Sequence, residues 1–276
     1  MNTIEFNNIK VYNENCIDVM KYMKDNNIGV DLTVCSPPYD DLRIYTGGGF
    51  DFENVARELY RVTKEGGVVV WNVNDKIKNG TKSLTSFKQA IFFNEIGFNV
   101  NDVMIWKKTN PMPQVKQPRY NQCFEYMFVF SKGKPKTFNP IMVDCKNANK
   151  QYKSTCKKIT QGKERVYKEF NINKQKVSDN IWEFAVSQNK TNHPAVFPLK
   201  LPLKHILSWS NEKDIVLDPF MGSGTTMIAC VQTNRHYIGF DISKDYFDIT
   251  CERLEKEKEK LKYKEYGEVE EDEKED

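Results

Sequence analysis

At 276 residues and a formal charge of +3, the chain has the length of one large domain, or of a domain with an insertion, and enough sequence to bury a sizeable core. No apolar run approaches the roughly 20 residues of a membrane span, and residues 1–16 lack the basic-then-apolar order of a secretory signal, so a cytoplasmic protein is expected. Seven cysteines, an odd number with no C-x-x-C pair, argue against a disulfide framework and against a zinc site, and no metal is expected.

In chain order, a first strand is expected ahead of Glu14, Asn15 and Cys16. Asp31–Ser36 is a second, running into Ser36-Pro37-Pro38-Tyr39. A helix over 52–64 follows, then strand Gly67–Val73, a helix over 86–97, and strands over 101–108 and 125–132. Beyond these come a helix over 201–211, a strand over 214–220, a helix over 225–234 and a strand over 237–243. The strand runs are too continuously apolar for a half-exposed sheet, and the helical stretches space apolar residues at three and four. Such alternation predicts a Rossmann-like, mostly parallel sheet flanked by helices. Trp71 and Trp106 end apolar runs and are read as core, and His205 and His236, without a second ligand at metal spacing, as structural.

One segment breaks the rhythm. Residues 141–178 hold ten Lys or Arg against three acids and few apolar residues, which marks an insertion. The organisation expected is therefore 1–140 and 181–255 as two halves of one domain, 141–180 as the basic insertion, and 256–276 as a charged tail. That tail reads as a solvated helix fraying into an acidic, disordered end; its last nine residues carry seven acids and one lysine, which leaves the body of the chain basic.

The stretch Asp214–Cys230 is a strand ending on Asp218, a turn with Gly222 and Gly224, and a helix starting near Thr225. Glycines there let the backbone approach a ligand, and free N–H groups at the helix start receive its polar part. About twenty residues on, a second strand ends on Asp241, where an acid can bind the two hydroxyls of a ribose. This reads as a nucleoside-cofactor pocket, although a G-x-G turn by itself also fits a plain structural turn. The spacing matches neither a phosphate loop nor a dinucleotide fingerprint, so nucleoside triphosphates and NAD are disfavoured. Taken alone, Ser36–Tyr39 reads as a rigid strand-end turn with a surface tyrosine.

With Ser36-Pro37-Pro38-Tyr39 and Asp218-Pro219-Phe220-Met221-Gly222-Ser223-Gly224-Thr225-Thr226 both in view, the chain resembles the S-adenosylmethionine-dependent DNA amino-methyltransferases of the permuted, beta class. In that family the catalytic tetrapeptide precedes the cofactor loop and the target-recognition region lies between them, an order kept here. Residues 61–75, 104–133 and 192–202 add further family-like pieces, and the resemblance spans roughly 10–255 outside the insertion.

The resemblance implies the following chemistry. An exocyclic amine is a poor nucleophile because its lone pair is delocalised into the base. The Ser36 hydroxyl and the Pro37 carbonyl would accept its hydrogens and aim the lone pair at the methyl sulfonium, on a loop stiffened by Pro37 and Pro38. Tyr39 would stack on the base once it is flipped from the duplex. The cofactor, S-adenosyl-L-methionine, would be held by Ser36, by Asp218, Pro219, Phe220, Gly222, Ser223, Gly224, Thr225 and Thr226 of the loop, and by Asp241. Asn15 and Cys16 stand where the family often has an acid and a cysteine against the adenine, Asn15 being the departure. His193, Phe197 and Pro198 match a segment flanking the methionine end, though a helix lead-in held by prolines fits His193 as well. Lys157, Lys158, Lys163, Arg165 and Lys168 of the insertion would neutralise phosphates of double-stranded DNA while nearby Asn and Gln read base edges.

Asp40 and Asp41 read as solvated turn residues, with shaping of the base pocket as the alternative, and Arg43, Tyr45 and 46–49 sit where a loop would close over DNA. In the family a leading serine, as Ser36, is typical of N4-cytosine enzymes and a leading aspartate of N6-adenine enzymes. The expectation is a site-specific cytosine-N4 enzyme, with adenine-N6 as the alternative. An RNA or protein-glutamine methyltransferase and a catalytically dead DNA-binding module stand further back, as does an oxidoreductase. A cognate restriction endonuclease acting on the same site is a partner of the kind such enzymes have; a homodimer is left open.

Overall fold

The computed structural model describes residues 2–6, 8–38, 50–111, 113, 118–148, 150–155, 167–186 and 198–272, with the side chains of 151–155, 167–171 and 261–272 left aside. In chain order the elements are β1 (Asn2–Phe6), β2 (Ile9–Asn13), α1 (Cys16–Asp25), β3 (Val30–Cys35), α2 (Phe52–Val62) and β4 (Thr63–Val73). They continue with β5 (Ile77–Lys78), β6 (Thr81–Lys82), α3 (Thr85–Glu95), β7 (Asn99–Lys108) and β8 (Phe124–Ser131). Next are β9 (Met142–Asp144), β10 (Gln151–Thr155), β11 (Tyr167–Asn171), β12 (Gln175–Val177) and β13 (Ile181–Phe184). The chain ends with α4 (Lys200–Trp209), β14 (Ile215–Asp218), α5 (Thr225–Gln232), β15 (His236–Phe240) and α6 (Lys244–Asp272).

The chain divides into two compact units, 1–139 with 180–276, and Pro140–Asp179. The first is built on a nine-stranded sheet ordered β1-β2-β15-β14-β3-β4-β8-β7-β13. Only β1 and β8 run against the others, so the expectation of a mostly parallel α/β sheet holds. Burial follows the strand period of two. On one face Val69, Trp71 and Val73 of β4 and Phe128 and Phe130 of β8 pack with Val19, Met20 and Met23 of α1. Val55, Leu59 and Val62 of α2 and Phe93 of α3 complete that layer. Phe93 and Phe130 stack at 4.4 Å, and the indole N–H of the fully buried Trp71 donates to Gln89 Oε1 at 2.9 Å, so its one polar group is satisfied. Helix α4 covers the other face, where the buried His205 Nε2 lies 3.4 Å from Met127 Sδ of β8 and the ring packs 4.6 Å from Trp182 of β13. Burial lowers the His205 pKa to about 3, so the ring is neutral, which agrees with its reading as structural. Trp106, 3% exposed, is core as expected.

The second unit is an antiparallel ribbon. β9 pairs with β12 and β10 with β11, so the chain runs out and back along itself. The Asp144 carboxylate accepts from Gln175 Nε2, and the Ile172 amide donates to the Lys150 carbonyl where the two ladders meet. None of these strands was expected from sequence, nor was the edge strand β13, whose Ile181–Phe184 alternates exposed and buried. Among the described residues no helix is long and apolar enough to cross a membrane.

Candidate active site

The order of the sheet places the candidate residues before any side chain is considered. β14 leads through α5 to β15 on one side, while β3, its other parallel neighbour, leads through α2 to β4 on the opposite side. Where two adjacent parallel strands send their chains apart, their carboxyl ends border a crevice. Register fixes the heights: Leu217 lies beside Thr33, Asp218 beside Gly239, Phe240 beside Tyr12 and Cys35 beside Trp71. Ser36, the loop after Asp218, Asp241 and Asn13–Cys16 therefore leave the sheet along one edge.

The Gly-rich loop is held from three directions. From beneath, Asp218 Oδ1 accepts the Phe220 N–H at 3.1 Å. From β15, the Phe240 carbonyl accepts the Met221 N–H at 3.0 Å and Asp241 Oδ2 accepts the Gly222 N–H at 3.0 Å. From α6, Thr250 Oγ1 donates to the Gly222 carbonyl at 2.8 Å, and Arg253 Nη1 donates to both the carbonyl and the hydroxyl of Ser223. With its carbonyls turned toward α6, the loop meets α5, whose first intrahelical bond runs from the Ile228 N–H to the Gly224 carbonyl. The amides of Thr225, Thr226 and Met227 lie ahead of it, as the first amides of any helix do. Gly224 has φ 76°, and a Cβ there would stand 2.9 Å from Thr250 Cγ2, so both backbone and packing ask for glycine. Thr250 and Arg253 escaped the sequence reading because no helix was expected over 244–255; their spacing of three on one helix face was the available signal.

The two strand-end acids stand in different surroundings. Asp218 is 1% exposed and lies behind the loop. Burial raises its pKa to about 7, opposed by the facing Thr226 hydroxyl and the Phe220 N–H and assisted by the charge of Asp241. Thr226 Oγ1 stands near that carboxylate without meeting full hydrogen-bond geometry. Asp241 is raised to about 6 by burial, opposed by the N–H groups of Ser243 and Gly222. Both its oxygens accept one backbone N–H, and each keeps a further lone pair for a hydroxyl donor. A glycine turn, a helix start and a carboxylate at the next strand end form a donor and acceptor set that fits an adenosyl cofactor with a charged amino-acid end.

Asn15 caps α1 by accepting the Ile17 N–H at 2.9 Å on Oδ1, which leaves its Nδ2 as the donor toward the edge. Cys16 opens that helix with its thiol pushed up to about 12, chiefly by burial, and the Cys35 thiol is raised by complete burial beside Asp218; both are neutral. Pro37 is buried while Ser36 and Pro38 are half-buried. Pro198 accepts the Leu201 N–H at 2.9 Å and leads into α4. Tyr39 to Gly49, His193, Phe197, Lys157, Lys158, Lys163 and Arg165 lie outside the described residues. Lys168 is placed on β11 opposite Ser154.

One polar row at the same edge was not anticipated. Glu125 of β8, 7% exposed, accepts from Asn72 Nδ2 at 2.8 Å and from Lys108 Nζ at 2.6 Å. The β3–β4 register puts Asn72 one step past Trp71 and so level with Ser36. Among the described residues no cluster of His, Cys, Asp and Glu is arranged to hold a metal.

Comparison with known proteins gives the family of the chain. A DNA methylase family model matches residues 30–252. The orphan methyltransferase M.BamHII of Bacillus amyloliquefaciens is 52% identical over 246 residues, covering 84% of this chain and 92% of that protein. The type II methyltransferase M.HpaI of Haemophilus parainfluenzae is 30% identical, covering 88% and 73%. Among solved structures, the M1.HpyAVI complex with S-adenosylmethionine superposes with TM-score 0.62 at 27% identity, covering 89% and 99%. The cytosine-N4-specific PvuII DNA methyltransferase gives 0.65 at 18%, covering 89% and 86%, a likeness of fold. The family model spans the chain from β3 into α6, and the chain belongs to the N6/N4 family of S-adenosylmethionine-dependent DNA methyltransferases.

Proposed function

We propose that the enzyme transfers a methyl group to the N4 amine of a cytosine flipped out of duplex DNA. The observation that carries the choice of base is Ser36, a neutral hydroxyl at the head of the tetrapeptide. It suits the cytosine edge, where an adenine enzyme of this family typically has a carboxylate. Bound S-adenosylmethionine supplies an electrophilic methyl on a sulfonium.

The remaining work falls to the chain's own groups. The Ser36 hydroxyl and the Pro37 carbonyl accept the two amine hydrogens, taking the nitrogen lone pair out of conjugation and aiming it. Tyr39 holds the flipped ring by stacking. Asp241 accepts from the ribose hydroxyls, and the Gly222–Gly224 turn with the first amides of α5 receives the amino-acid end. Asp218 holds the loop from beneath. With S-adenosylmethionine bound, the nitrogen so aimed would take the methyl group as the carbon–sulfur pair returned to sulfur, and one amine proton would leave to solvent. The basic insertion, residues 141–180, supplies phosphate contacts and target recognition, with Lys168 and its basic neighbours as the phosphate ligands.

The test is methyl transfer from labelled S-adenosylmethionine to mixed-sequence duplex DNA, followed by digestion and mass spectrometry of the nucleosides. N4-methylcytosine is the expected product. N6-methyladenine would keep the mechanism and overturn the base assignment.

A further inference from the structure

The two connections flanking the end of β4 and the start of β8 build a surface that the site above does not use. Residues 76–83 form a hairpin in which β5 pairs with β6, turned at Asn79 and Gly80 with φ 51° and 77°. Asn-Gly with both residues left-handed matches the twist of the two strands and makes a firm turn. The segment 118–122 is strapped across it: Arg119 Nη2 donates to the Gly80 carbonyl at 2.7 Å, and Lys82 Nζ donates to Gln122 Oε1 at 2.6 Å. Residues 76–82 and 118–122 together hold four cations, Lys76, Lys78, Lys82 and Arg119, and no acid. Tyr120 stands on the strap with 99% of its surface exposed. Because β4 is the parallel neighbour of β3, this rim leaves the sheet at the same edge as Ser36.

A firm hairpin with cations on both strands and a fully solvated ring beside it fits one partner chemistry, a polyanion with a stacking surface. We propose that the β5–β6 hairpin and the Pro118–Gln122 strap form a duplex-DNA contact on the catalytic unit itself, Lys76 and Lys78 engaging phosphates and Tyr120 stacking into the gap left by the flipped base. This rests on duplex DNA as the substrate. Lys82 and Arg119 are occupied by the strap and keep the hairpin in place, whereas Lys76 and Lys78 pair with no acid among the described residues. Aromatic and apolar wedges fill unstacked steps in other DNA-bending proteins, and base–aromatic stacking is tolerant of sequence.

The test uses the full chain with Lys76→Gln/Lys78→Gln and Tyr120→Ala, which leave the strap's hydrogen bonds intact. Anisotropy titrations with a mixed-sequence duplex over a salt series should show the slope of log affinity against log salt flattening by about 1.8 in the double variant. Its affinity at about 0.1 M salt should be weaker by roughly 60-fold, if each lysine meets one phosphate. Tyr120→Ala should lower turnover on paired duplex by roughly tenfold or more, with S-adenosylmethionine affinity unchanged and Tyr120→Trp restoring turnover. An unchanged salt slope overturns the phosphate contact, and normal turnover in Tyr120→Ala overturns the stacking. Wild-type enzyme that binds its cofactor but methylates no duplex DNA would overturn the functional reading instead, so the two failures are distinguishable.

Discussion

Replacing Asp218 by Asn should make the protein more stable as the pH rises. The carboxyl is completely buried, and its pKa is raised from 3.8 to about 7. A folded-state pKa above the unfolded one means that the folded form holds the proton more tightly. The stability linked to that proton is then fully present below about pH 4 and is lost as the pH rises through about 7. Between about pH 5.5 and 7 the unfolded carboxyl is ionised while the folded one still holds its proton, so the loss runs at ~1.4 kcal/mol per pH unit, about 2 kcal/mol in all. Asn keeps an oxygen for the Phe220 N–H and removes the titration. Urea unfolding followed by tryptophan fluorescence at about pH 5.5 and pH 8.5 should show Asp218→Asn gaining about 2 kcal/mol on the wild type between the two conditions. Titrations shared by both proteins cancel in that difference. A flat difference, or one of opposite sign, would show that Asp218 is ionised in the folded protein throughout and refute its place as a desolvated loop anchor.

Other consequences are open to direct measurement. With Asp241 raised to about 6 and the cofactor cationic, S-adenosylmethionine affinity should fall as the pH drops below about 6; Asp241→Asn should bind roughly tenfold or more weaker at neutral pH and lose that dependence, as calorimetric titration would show. Tyr39→Ala should cut methylation strongly while leaving cofactor binding nearly intact, and normal turnover would sink the stacking role. Glu125→Ala removes the carboxylate that pairs Lys108 at a nearly buried site and should cost about 3 kcal/mol in urea unfolding. Glu125→Met combined with Lys108→Met should cost less than the single alanine change, because no unpaired charge remains.

Which parts of this molecule can be read from sequence depends on the range of the interactions involved. β3, β4, β8, β14 and β15 were legible because strands buried on both faces must be continuously apolar, and the glycine turn because it is a local conformation. The short strands β9 to β12 were not, since a ribbon of Lys, Asn and Gln is held by its partner strand and carries no apolar period of its own; β13 was missed because four alternating residues are too short a run to stand out. α6 runs from Lys244 to Asp272, starting before the charged stretch read as helix and outlasting the expected fraying. Glu and Lys three and four apart carry such a helix through polar sequence. Trp71 and Trp106, each ending an apolar run, were legible as core.

The same distinction explains why the acids at the site were only half legible. Asp218 and Asp241 both end a strand before a turn, and sequence assigned both to the ligand. Only the fold separates them: Asp218, the last residue of β14, lies 1% exposed beneath the loop that it holds. Asp241 instead borders Tyr12 and Asn13, whose chain departs into α1. Glu125 is the converse case, a carboxylate in an otherwise apolar run whose cation lies 17 residues earlier and is brought to it by the antiparallel pairing of β7 with β8. Arg253 and Thr250, some 30 residues from the turn that they brace, depend in the same way on α6 crossing back to the loop. A local motif can therefore be found by reading along the chain. The groups that hold the motif in its working geometry come from distant parts of the chain, and they are where substitutions should alter cofactor affinity or stability without touching a motif residue.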